Sequence, residues 1–290
     1  MSALDLSAIA DACEGGAPLE APAQIIALLA NPETKGMADY ILQTAAEQEH
    51  DGRTVDALRA ALADPADAVR RAAAFVLAGT LARREDGVAV AALIGHADPM
   101  VRLGTLNALA NHALPREGTG EVVAALAAAL SDADVAIRKE ATWALYLLGS
   151  DGVAIDPAVP ALERLLEDPA TAGNAAIALS LAFHAANDAT RAAALAAAPN
   201  GAVQLGAAWG AADAALRRGD LAALEAMFSE EDANVRRGLG GFLHHAKALK
   251  RDLSLAGQAF QGLMTAHPDD ALLHARLLAV QAIIERGPGA

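Results

Sequence analysis

The chain has 290 residues, 54% of them hydrophobic but only 3% aromatic, and its 36 Asp and Glu exceed its 22 Lys and Arg for a formal charge of −14. So acidic a chain lacks the positive face that holds phosphates, which argues against nucleic acid and against anionic membrane surfaces as partners. Its apolar content is carried by Ala and Leu, strong helix formers, in runs that Asp, His, Arg or Gly interrupt well before the roughly 18 residues of a membrane span.

The first sixteen residues, "MSALDLSAIADACEGG", have no basic start and carry acids inside their apolar part, unlike a secretory signal. They read as a helix that caps the N-terminal end of a helical stack. The single cysteine, Cys13, excludes an internal disulfide and suits a reducing cytoplasm. With no His near it in sequence, it reads as a small packed residue rather than a nucleophile.

From about residue 20 the sequence repeats itself. With Arg70 in "VRR" as the reference position, the pattern returns at Arg102, Arg138, Ala172, Gln204 and Arg236, in steps of 32, 36, 34, 32 and 32 residues. Ala38 begins the series and His274 marks a weaker last copy. Each reference position lies near the start of one helix. An earlier helix precedes it in every unit: "AQIIALLA", "VDALRAAL", "VAVAALIG", "EVVAALAAAL", "VPALERLL", "ATRAAALAAA", "AALEAMF" and "AGQAFQGLM". Four positions before the reference stand Thr34, Ala66, Asp98, Asp134, Asp168, Asn200 and Asp232, six of them able to accept from the free N–H groups of a first helical turn. Pro99 and Pro169 are expected inside that turn. Pairs of short antiparallel helices at this period bury their apolar stripes only by stacking, which predicts an all-α solenoid of about eight helix pairs. The expected division is one repeat domain over 1–290, with a cap at 1–16 and units near 17–50, 51–85, 86–116, 117–150, 151–185, 186–217, 218–250 and 251–286. The connections "HALPREGTG" and "LGSDGVAIDP" are expected to be the longest.

The units "ALADPADAVRRAAAFVLAGTL" and "GVAIDPAVPALERLLEDPA" resemble HEAT repeats, in particular the subfamily found in phycobilisome lyases. The resemblance implies a ladder in which the turn Asp of one unit meets the Arg of another. Arg70, Arg102, Arg138 and Arg236 match that Arg; Ala172 and Gln204 do not, so the ladder is expected to break at the fifth and sixth units.

At about 100° per residue, the packed stripe of a second helix lies one position before the reference and 3, 6, 7 and 10 after it: in the fourth unit Ile137, Ala141, Ala144, Leu145 and Leu148. The opposite face carries positions 1, 5, 8 and 12. In HEAT-like stacks the second helices line the concave side, so this face is expected to line a groove. Position 5 reads Gln43, Phe75, Asn107, Trp143, Ile177, Trp209 and Gly241 along the chain, and Tyr146 adds position 8 of the fourth unit. Both tryptophans therefore fall in one phase, beside small residues such as Ala78, Ala110, Ser180 and Ala212. Two readings stay open: the tryptophans fill gaps between adjacent second helices, or Phe75, Asn107, Trp143, Tyr146, Ile177 and Trp209 line a binding groove, since rigid aromatics with one polar edge anchor peptides and apolar ligands.

Little else points to chemistry. His50, His112, His184 and His244 cluster near one end of the second helices, but in units that do not adjoin. Units two apart are expected to lie roughly 20 Å from each other if neighbours pack about 10 Å apart, too far to share an ion with bonds of about 2 Å. No metal or other cofactor is expected. HEAT-like deoxyhypusine hydroxylases carry His-Glu pairs after the repeat Arg, where this chain has Lys139-Glu140; HEAT-like DNA glycosylases need a basic groove. No nucleophile elbow, phosphate loop, HExxH or CxxC occurs. The expectation is a non-catalytic, cytoplasmic scaffold for a protein or peptide partner. The alternatives are a binder of an apolar small molecule or chromophore with a lyase-like or chaperone-like role, and a structural subunit of a larger complex.

Overall fold

Many helices in this protein begin where an acid or amide can take the free N–H groups of a first turn. The computed structural model describes residues 4–48, 52–111, 115, 117–248, 252–271, 273 and 278. Among them there is no strand. α1 (Leu6–Glu14) precedes seven helix pairs: α2 (Pro22–Ala27, prolonged by a 3₁₀ turn Leu28–Ala30) with α3 (Pro32–Gln48); α4 (Arg53–Ala61) with α5 (Asp67–Arg83); α6 (Gly87–Ile94) with α7 (Pro99–Asn111); α8 (Thr119–Ala129) with α9 (Val135–Ser150); α10 (Val159–Leu165, after a 3₁₀ turn Asp156–Ala158) with α11 (Ala172–Ala185); α12 (Ala189–Ala196) with α13 (Gly201–Arg218); and α14 (Leu221–Ser229) with α15 (Ala233–Ala248). α16 (Ser254–Ala266) opens the eighth unit. The helix expected around His274 lies largely outside the described residues, as do four residues of "HALPREGTG", 112–114 and 116. No helix among the described residues is long and apolar enough to cross a membrane.

The caps fall close to the expected places. Asp98 accepts from the Met100 amide at 2.7 Å, Asp134 from Ala136 at 2.8 Å, Asn200 from Ala202 at 2.9 Å and Asp232 from Asn234 at 2.7 Å. Two sites differ. α3 starts at Pro32, so Asn31 rather than Thr34 takes the first-turn amide, that of Glu33, and Thr34 donates its hydroxyl to the Leu28 carbonyl. α11 starts only at Ala172, because Asp168 closes a separate turn on the Ala170 amide and leaves Pro169 outside the helix. The first helices use acids of their own: Asp5, Asp86, Asp188 and Asp220 each accept an amide three residues on, at 3.0–3.1 Å.

Contacts group the chain into two compact units, Met1–Ala144 and Leu145–Ala290, with the boundary inside α9. In the first, second helices stack on second helices, α3 on α5 and α5 on α7, while α6 stacks on α8 in the row of first helices. The expected stripe is buried: Ile137, Ala141 and Ala144 are inaccessible to solvent, and so are Val101, Leu106 and Leu109 in α7. Arg70 reaches Asp98 at 2.6 Å and Arg102 reaches Asp132 at 2.8 Å, two rungs of the ladder. Each Arg also binds carbonyls of the turn before its own helix, Arg70 those of Asp64 and Pro65 and Arg102 those of His96 and Ala97. One guanidinium thus closes a turn within its unit and ties that unit to the next.

In the second unit α11, α13 and α15 form the corresponding row. Here the sixth unit keeps a rung in another chemistry: Asn234 donates its amide to Gln204 Oε1 at 2.8 Å. An uncharged pair replaces the Arg–Asp pair where a break is expected.

Candidate binding surface

The second helices approach closely because glycines face the backbone of their neighbours. A Cβ at Gly104 of α7 would stand 2.1 Å from the Arg71 carbonyl oxygen of α5; one at Gly206 of α13 would stand 2.2 Å from the Gly173 oxygen of α11; one at Gly238 of α15 would stand 2.3 Å from the Leu205 oxygen of α13. No real Cβ tolerates such distances, so these glycines set the spacing of the row. With helices this close, side chains on the exposed edge of the row converge.

In the first unit they converge on a cavity of about 210 Å³ lined by Lys35 and Asp39 of α3, Arg71, Ala72 and Phe75 of α5, and Gly104, Asn107 and Asn111 of α7. Phe75 and Asn107, both half-buried, are two of the six residues singled out by position in the repeat. Asp39 and Arg71 occupy position 1 of their units, on the same face. Asp39 Oδ1 is buried and accepts no hydrogen bond. Loss of hydration pushes its carboxyl up to about 6, with the Lys35 ammonium pulling the other way. Burial likewise raises Glu140 on α9, against the pull of Arg71. Trp143, one helical turn beyond Glu140, is half-buried.

The second unit treats the same face differently. Trp209 is half-buried and lies over Gly241, where a Cβ would come within 2.7 Å of its Cζ3. Its indole N–H donates to the Tyr146 hydroxyl at 3.2 Å, and its ring stands edge-on to Tyr146 and Phe242, with centroids 6.5 Å away in each case. The His245 ring completes the group, 5.7 Å from Trp209 and 6.1 Å from Tyr146. Tyr146, expected on the open face, is fully buried, and Ile177 is 5% exposed. Tyr146 on α9 and Trp209 on α13 belong to units two apart, which corrects the expected 20 Å separation. They meet across α11, whose residues on this edge are as small as Ser180 and Ala176. A second link lies beside the first: fully buried Ser150 donates to Asp213 Oδ2 at 3.0 Å, and Arg217 Nε donates to Asp213 Oδ1 at 2.9 Å. Sequence reasoning passed over Ser150 and Asp213; the available signal was a lone acid inside "GAADAAL".

A wide hollow of this unit flanks α12. It measures about 660 Å³, with Ala207, Ala208 and Ala211 of α13 as floor, Ala192, Ala193 and Ala196 of α12 and Met227 of α14 as walls, and His184, Arg218, Asp220 and Glu230 among its polar lining. Burial, then the Arg218 guanidinium, holds the His184 imidazole below its usual value. A second hollow of about 400 Å³ lies between α10 and α12, beside Arg191, which pairs with Glu163 at 2.5 Å and covers the Phe183 ring at 4.2 Å. Both follow from sequence: α12 is "ATRAAALA", its only buried residue is Leu195, and methyl side chains do not reach the neighbouring first helices.

Among the described residues no three His, Cys, Asp or Glu come together as metal ligands; His50 and His112 lie outside them. His184 and His244 are on α11 and α15, and Cys13 is buried in α1.

This architecture defines an all-helical repeat protein. The family described as HEAT repeats matches residues 88–182, the stretch from α6 to α11, so the resemblance to HEAT repeats holds there. No curated protein matches the chain. Among solved structures, an engineered protein is similar at 21% identity over 98% of this chain and 84% of its own, with a TM-score of 0.47. The Escherichia coli protein YibA is similar at 15% identity over 99% of both chains, with a TM-score of 0.48. A designed armadillo repeat protein in complex with the peptide (KR)4 is similar at 14% identity over 92% of this chain and 100% of its own, with a TM-score of 0.29.

Proposed function

We propose that the protein is a non-catalytic scaffold that holds a protein or peptide partner on the face of its second helices, with Phe75, Asn107 and Trp143 as contact residues and Tyr146 as a buried support for Trp209. One observation carries this reading: position 5 of successive units brings Phe75 and Asn107 to one cavity, beside the buried, unpartnered Asp39 Oδ1. Repeats of this kind commonly serve protein binding, because stacked units present an extended surface. The test is a paired measurement on Phe75→Ala and Trp143→Ala. Retention of the partner isolated with the wild-type protein is expected to fall about thirtyfold, the effect of losing an interface anchor of about 2 kcal/mol, with a denaturation midpoint close to wild type. Undiminished retention in both variants overturns it.

The hollow beside α12 favours a second reading. Its volume lies within the range of small-molecule sites, about 300–1,000 Å³, and its floor and walls are mostly apolar. Resemblance to the phycobilisome-lyase subfamily implies a linear tetrapyrrole as ligand. Titration with biliverdin tests it: a shifted absorption band that Ala208→Trp abolishes supports the reading, and an unshifted spectrum removes it.

A further inference from the structure

The cavity between α3, α5 and α7 calls for a ligand of both charges. Asp39 Oδ1 is shut off from water and accepts no hydrogen bond. Neither the Lys35 ammonium nor the Arg71 guanidinium is hydrogen-bonded to another described residue. A buried acceptor left unmatched is costly, by about 1–3 kcal/mol, and a donor from outside removes that cost. A lone cation meets Lys35 and Arg71 in the lining, and a lone anion meets Asp39. A ligand with an ammonium beside a carboxylate meets a complement for each, Asp39 for the ammonium and Lys35 and Arg71 for the carboxylate. The space is small: about 210 Å³, below the roughly 300–1,000 Å³ of sites for drug-sized ligands, which suits a ligand as small as an amino acid.

We propose that this cavity binds a free α-amino acid, its ammonium on Asp39, its carboxylate on Arg71 and Lys35, and its side chain along Phe75 and Asn107. The charged groups facing Asp39 are Lys35 from its own helix and Arg71 from α5. Because only the ionised Asp39 attracts an ammonium and its carboxyl titrates at about 6, affinity rises between pH 5 and pH 7.5.

The site does not depend on the scaffold reading, since its test uses no partner protein. Calorimetric titration of the full chain with each of the twenty amino acids at pH 7.5 is expected to find at least one that binds with one-to-one stoichiometry. Its N-acetyl and its carboxamide derivatives are each expected to bind at least tenfold more weakly. Asp39→Asn and Arg71→Gln are expected to lose at least tenfold, while Arg59→Gln, an exposed change on α4, leaves binding unaltered. Circular dichroism confirms that the variants are folded, and Asn107→Leu gives a third, uncharged perturbation of the same wall. Absence of binding at millimolar concentration for all twenty, or binding that survives both Asp39→Asn and Arg71→Gln, overturns the proposal.

Discussion

Trp209 donates its indole N–H to the hydroxyl of Tyr146 across 3.2 Å, joining α13 to α9 over the small side chains of α11. The bond spans 63 residues of sequence and two repeat units. It explains why Tyr146 is buried although its place in the repeat faces away from the packed stripe: the Trp209 and His245 rings pack against it. Tyr146→Phe is expected to cost about 1 kcal/mol, the net worth of one hydrogen bond. Trp209→Ala removes contacts to Tyr146, Gly241, Phe242 and His245 together and is expected to cost roughly 3 kcal/mol. Urea denaturation of both variants gives these values directly; equal midpoints for Trp209→Ala and wild type contradict the packing role.

A second prediction concerns Asp213. It is fully buried, and its carboxylate takes Ser150 on one oxygen and Arg217 on the other. Asp213→Ala removes the charge that Arg217 faces and is expected to cost about 3 kcal/mol, the lower end for a broken buried pair because Arg217 is partly exposed. Ser150→Ala, which removes the bonds to Asp213 and from Arg217 Nη2 but leaves the ion pair, is expected to cost about 2 kcal/mol, less than Asp213→Ala. The order of the two midpoints is the check: a larger loss for Ser150→Ala places the weight of the network elsewhere.

Asp39 makes the stability of the protein depend on pH in the direction opposite to a salt-bridged acid. Its carboxyl is pushed up to about 6 from 3.8 by burial. Between those values the folded state binds more protons than the unfolded one, so stability falls as pH rises from about 4 to above 6. Asp39→Asn removes the ionisation. The variant is expected to melt above wild type at pH 8 and at the same temperature at pH 4, by scanning calorimetry. A variant that is less stable at pH 8 shows Asp39 to be satisfied as an anion.

Much of the architecture was legible in the sequence because helix pairing, caps and the buried stripe are local properties repeated along the chain. Ile137, Ala141, Ala144, Leu145 and Leu148 are buried as their phase requires, and acids or amides stand at most of the helix starts. The candidate surface was legible only in part. Phase placed Phe75, Asn107, Trp143 and Trp209 on one face, but it carried no information on how closely neighbouring helices approach. That approach depends on non-local contacts, Gly206 against the Gly173 carbonyl and Gly210 against that of Ile177, which no single helix records. The wrong spacing came from a general interhelical distance, which glycine-lined seams undercut. Asn31 in place of Thr34 and the late start of α11 are differences of a few residues in turn geometry, where two neighbouring oxygens compete for the same free amide.

The central claim, that the second-helix face holds a partner, is tested most directly by site-specific photocrosslinking. A photoreactive phenylalanine is placed at Phe75, Asn107 or Trp143, and for comparison at Val88 and Arg59 on first helices, where Val88 is 62% exposed. Irradiation in cells followed by mass spectrometry then identifies what each position touches. The three second-helix positions are expected to crosslink to one and the same protein, and the first-helix positions are not. Crosslinks to that protein from Val88 and Arg59 but not from Phe75, Asn107 and Trp143 would contradict the claim and move the partner to the opposite row of helices.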